Sequence, residues 1–134
     1  MMRIPFVLLM LATSSMALAC PKDVKKILNA ELATPSGFQA ACGDIEKGYV
    51  QVYKTPADVK HIELWKLHGN AMNTYKDFVA LLKSKGYVLQ PQRSGNTKDG
   101  PVDVFVNKAS DHTISAHLFG DEEIGLHVAL RLDW

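Results

Sequence analysis

Residues 102–132 read VDVFVNKASDHTISAHLFGDEEIGLHVALRL, and the alternation within them decides the fold. Val102, Val104 and Val106 alternate with Asp103, Phe105 and Asn107. Ile114, Ala116 and Leu118 alternate with Thr113, Ser115 and His117. Ile124, Leu126, Val128, Leu130 and Leu132 alternate with Gly125, His127, Ala129 and Arg131. Successive side chains of a strand point to opposite faces, so each run carries one apolar and one mostly polar face. An antiparallel sheet covered by helices on a single side has this pattern.

The cover is found upstream. Tyr75, Phe78, Val79 and Leu82 form an i, i+3, i+4, i+7 stripe that starts after Thr74, with Asp77 at the capping-box position. Lys83 and Lys85 suit the last turn, and Gly86 supplies a left-handed stop before the strand-like Tyr87, Val88 and Leu89. Nearer the N-terminus, Val24, Ile27, Leu28 and Leu32 fall on one face of a short helix capped by Asp23. Residues 49–53, YVQVY, read as a strand, and residues 61–67 as another after a turn at 55–58. Residues 92–100 offer no apolar side chain and read as a flexible loop. The expected fold class is α+β: an antiparallel β-meander of four to six strands, one main helix over about residues 75–85 on its apolar face, and a short N-terminal helix.

The chain opens with Arg3 as its one early charge, an almost unbroken apolar run over residues 4–12, and Ala17-Leu18-Ala19 as a small-x-small cleavage pattern. This is the layout of a secretory signal, and the run is about half the length that spans a bilayer as a helix. The expected organisation is therefore a signal peptide over residues 1–19 and a single domain over 20–134, secreted or periplasmic, with no transmembrane segment in the mature chain. Without Arg3, fourteen basic and fourteen acidic residues remain. That balance argues against a nucleic-acid partner. The charges are unevenly spread, basic between residues 47 and 98 and acidic from residue 99 onward.

Export places Cys20 and Cys42 where thiols oxidise. A bridge between them would contribute roughly 3 kcal/mol by constraining the unfolded chain. The alternative is a lipid anchor at Cys20, the first mature residue, although the position three residues before it holds Ala17 where a lipobox favours leucine.

No recognised catalytic motif is present, and no cofactor is expected. Pairing the apolar faces of the last two strands sets His117 opposite or diagonal to His127. Two imidazoles can hold a transition metal but fall short of the three or four ligands of a zinc site, and the simpler reading is a pair of surface histidines. With the even-numbered face as core, Phe105 and Phe119 point outward, and Trp65 joins them in a candidate interaction surface. The alternative is that the N-terminal helix covers that face, making it a second small core. The leading function is a non-enzymatic binding or interaction protein for an unknown protein or small-molecule partner. A metal-binding protein using His117 and His127, and a small secreted hydrolase, are the other two readings.

Overall fold

The computed structural model describes residues 20–21, 24–28, 31–53, 61–97, 100–121 and 125–133, with the side chains of 50–53 and 133 excepted. The proposed signal segment and the turn at 55–58 lie outside the described residues. The chain is α+β. A small hairpin, β1 (Lys26–Ile27) and β2 (Leu32–Ala33), is followed by β3 (Phe38–Ala40), helix α1 (Asp44–Tyr53), β4 (His61–Leu67) and helix α2 (Ala71–Ser84). Then come β5 (Val88–Leu89), a 3-10 turn (Pro91–Arg93), β6 (Gly95–Thr97), β7 (Gly100–Asn107), β8 (His112–Asp121) and β9 (Gly125–Asp133). The main sheet runs β3-β4-β9-β8-β7-β5 with β6 also on β7, and every pairing is antiparallel. It has seven strands, where the alternation implied four to six, because three strands are only two or three residues long.

Register decides what each face carries. Phe105 pairs with Ile114, so odd positions of β7 share a face with even positions of β8. Trp65 pairs with Val128 in the same sense. One face therefore buries Trp65, Leu67, Phe105, Ile114, Ala116, Leu118, Val128, Leu130 and Leu132 beneath α2. The opposite face has its own cluster of Ala41, Ile62, Leu64 and Ala129, against which Ile45, Tyr49 and Phe119 pack.

Helix α2 closes the main core with Tyr75, Phe78 and Leu82, which are three and four residues apart and so share one side. It starts one turn before the expected residue: the Asn70 side chain caps it by accepting from the Asn73 N–H. At its end the Gly86 N–H donates to Lys83 and the Tyr87 N–H to Leu82, with Gly86 at φ 94. This is the glycine stop read from the sequence, with the carbonyls of the last turn satisfied.

Three local expectations are corrected. Residues 49–53 are the end of α1, not a strand. Asp44 and Glu46 favour the helix N-terminus, and Ile45 and Tyr49, four apart, bury one side against the sheet. The alternating YVQVY pattern is overridden by that packing. The loop expected over 92–100 contains β6, which lies along the edge of β7. Between β5 and β6 the chain loops out as the 3-10 turn, and the Ser94 hydroxyl fills the gap by accepting from the Val104 N–H at 2.9 Å. The third correction is the short N-terminal helix, since its described residues form the β1–β2 hairpin.

Glu63 explains that hairpin. It is 4% exposed on the main-core face, where it accepts from the Leu28 N–H at 2.8 Å, Trp65 Nε1 at 3.1 Å and His61 Nε2 at 2.6 Å. Leu28 sits at φ 55, a left-handed conformation that ends any helix, and buries its side chain fully. Glu31 adds a second anchor by accepting from the Tyr87 hydroxyl at 3.0 Å and pairing with His112 at 2.8 Å. Burial pushes the Glu63 carboxyl up. The His61, Leu28 and Trp65 hydrogen bonds and the His61 charge outweigh it, and the group lies below its ordinary value of 4.5.

A carboxyl depressed in the folded state contributes stability above its unfolded value, and that stability is lost as pH falls through the folded one. Glu63→Ala strands two buried donors and should destabilise the fold by about 3 kcal/mol in denaturant titrations. Glu63→Gln should cost less, and its deficit against the parent should shrink between about pH 5 and pH 3. A deficit that stays constant over that range would show that the charge of Glu63 does not hold the hairpin.

Candidate functional site

The second sheet face is covered unevenly, and its partly open end is the candidate site. Gln39, Lys66, His127 and Phe119 stand side by side across β3, β4, β9 and β8. The next row contains Leu64, Ala129 and His117. Helix α1 lays Tyr49 over this second row. Its ring is 4.8 Å from Phe119 and 5.8 Å from His117, and its hydroxyl lies 2.9 Å from His117 Nδ1. Phe119 in turn stacks on His127, with centroids 5.4 Å apart and planes at 27°. Tyr49, His117, Phe119 and Lys66 are half-buried, while Gln39 and His68, hydrogen-bonded to each other, are exposed.

His127 is the buried member, 2% exposed. Its Nδ1 lies 3.0 Å from the Gly125 carbonyl oxygen. A carbonyl only accepts, so Nδ1 carries the proton and the neutral ring keeps its lone pair on Nε2. Burial holds His127 below the ordinary imidazole value of 6.5. The Gly125 hydrogen bond opposes this, and the charges of Lys66 and His68 reinforce it. Lys66 lies across Gly125, where an added side chain would meet its stem at 3.2 Å.

The loop between β8 and β9 pairs Phe119, not His117, with His127. The two histidines are thus diagonal neighbours with an aromatic ring between them, and His117 Nδ1 is engaged by Tyr49. Among the described residues no group of three or more His, Cys, Asp or Glu side chains is placed to hold a metal ion. The pair therefore gains no third ligand among the described residues. Comparison with protein-family models, with curated proteins and with solved structures finds no match.

Of the three aromatics expected on an outer surface, two are placed elsewhere. Trp65 is 0% and Phe105 1% exposed, both within the main core, because the odd-to-even registers turn them toward α2. Phe119 does lie on the second face, and α1 covers it in part, as in the alternative of a second small core. The covering helix is not the one expected near residue 24. Tyr49, Lys66 and Gln39 were not singled out by the sequence. Tyr49 was hidden in the strand-like run, and Lys66 is brought to His127 only by the β4–β9 register.

His127 should titrate below 6.5 in a proton NMR pH series. A group whose folded pKa is lowered contributes stability above its unfolded value and loses it as pH falls below that value. Stability measured from pH 7 to pH 5 should therefore decline more steeply in the parent than in His127→Gln. Parallel profiles would mean that the imidazole is not held neutral by its surroundings.

Proposed function

We propose that residues 1–19 are a secretory signal and that the mature chain, beginning at Cys20, is a non-enzymatic binding or interaction protein of the cell envelope or extracellular space. Export is supported by the Cys20–Cys42 disulfide, with the two α-carbons 5.1 Å apart. A structural bridge persists in oxidising compartments and is rare where thiols are kept reduced. No helix among the described residues is long and apolar enough to cross a membrane. The bridge also competes with a lipid anchor, since the same sulfur cannot carry a thioether-linked lipid.

The observation that carries the binding reading is the row of Gln39, Lys66, His127 and Phe119, with His117 in the next row, at the partly covered end of the sheet. Half-buried rings beside a lysine offer apolar area and a positive charge together. The partner this suits is a protein or small molecule presenting an apolar group next to an acidic one.

Two measurements test the reading. Intact mass of the exported chain should start at Cys20 and be lighter by two hydrogens than its reduced form. A gain of acyl mass, or an uncut chain with free thiols, would remove the soluble exported protein. A photocrosslinker at Lys66 in the native envelope should give adducts that the same group at Lys83, exposed on α2, does not. Equal yields at the two positions, or none, would remove the binding surface.

A further inference from the structure

The environment of Cys20 goes beyond its sulfur. Its backbone nitrogen lies 2.9 Å from Glu46 Oε2. Glu46 is 7% exposed and belongs to the first turn of α1, where the helix dipole favours a carboxylate. Cys42, which holds the sulfur, precedes that helix by two residues, and the intervening Gly43 accepts from the Lys47 N–H at 3.0 Å. One residue is thus tied through two atoms to one helix end: sulfur to Cys42 and nitrogen to Glu46. Pro21, the next residue, is buried.

We propose that Glu46 is the receptor for the mature N-terminus, so that cleavage after Ala19 turns the Cys20–Glu46 hydrogen bond into an ammonium–carboxylate pair that locks α1 on the second sheet face. Hydrolysis of the Ala19–Cys20 peptide bond consumes one water. It leaves the carboxylate on Ala19 and a protonated amine on Cys20. Before the cut the nitrogen is a neutral amide with one N–H; afterwards it carries three donors and a charge. Charge-assisted hydrogen bonds are about twice as strong as neutral ones. Processing therefore strengthens a contact already in place, and it does so on the helix that supplies Tyr49 to the candidate site. Residue 20 is also closed to a thioether-linked lipid, because its sulfur is in the bridge.

The sign of the pH dependence follows. An amine paired with a carboxylate has a folded pKa above its ordinary value of about 7.7–8.0. Its contribution is complete below the unfolded value and is lost as pH rises through the folded one. A chain that keeps Ala19 presents an amide to Glu46 and lacks this contribution.

This inference rests on the proposed cut after Ala19, and the test separates the two. The mature chain is recovered from the exporting cell, its start is read by intact mass, and its N-terminal amine is acetylated with an activated ester at pH 7. The extent is read on the N-terminal peptide. Each unit of upward pKa shift removes about tenfold of the reactive free base. Labelling should therefore be roughly tenfold slower in the parent than in Glu46→Gln, which keeps the size and an acceptor oxygen. As a second measurement, the stability gap between the mature chain and one retaining Ala19 should be present at pH 7 and close as pH rises above about 8. A chain that starts elsewhere than Cys20 overturns the cut site and this inference together. A Cys20 start whose amine labels equally fast in both chains overturns this inference alone, as does a stability gap that does not change with pH.

Discussion

Glu63 must stay charged inside the main core, and the N-terminal part of the fold is arranged around that requirement. Strand β4 places it on the same face as Trp65 and Leu67, where water cannot solvate it. A buried carboxylate without partners costs several kcal/mol or takes up a proton. Here the donors come from three sources: the Leu28 main chain, the Trp65 indole and the His61 ring. The Leu28 N–H is available only because Leu28 takes a left-handed backbone and leaves helical geometry. The conformation of the hairpin and the charge of Glu63 therefore support each other. Ile27, Leu28 and Leu32 then fill the main core beside α2.

The other constraint is that both sheet faces carry apolar side chains. Helix α2 and the hairpin cover one, and α1 covers part of the other. Helix α1 is short, and of its described side chains only Ile45 and Tyr49 pack against that face. The fold compensates at its N-terminal end, where the Cys20–Cys42 bridge and the Cys20–Glu46 contact fasten the helix. Phe119 and Lys66, on the same face, are half-buried.

Much of this could be read from the residues. The strands at 102–107 and 113–132, the α2 stripe and its Gly86 stop follow from side-chain period and turn chemistry, which are local. The pairing of Cys20 with Cys42 was within reach because the chain has two cysteines and each is the other's only possible partner within it. What could not be read depends on register. The run VDVFV sets three valines on one face and Phe105 beside Asp103 on the other, so whether Phe105 or Val104 enters the main core is settled by the loop joining Asn107 to His112. The same ambiguity sent Trp65 to the wrong face. Residues 45 and 49 are spaced for a helix, yet the valines around Tyr49 fit a strand equally well, and only the uncovered face of the sheet decides between them.

The candidate site inherits that dependence. His117 and His127 were visible as a pair because they sit on strands joined by a short loop, but a shift of one residue in its centre put Phe119 between them. With a ring interposed, His127 stacks where a metal site would need both histidines to converge, and its Nδ1 is committed to Gly125. A neutral, buried imidazole beneath Phe119 supports the ring without bringing a charge into the second core. Lys66 and His68 act in the same direction, since a proton on His127 would place it against their charge. The positive charge of this end is thereby kept on Lys66, beside His127 in the same row.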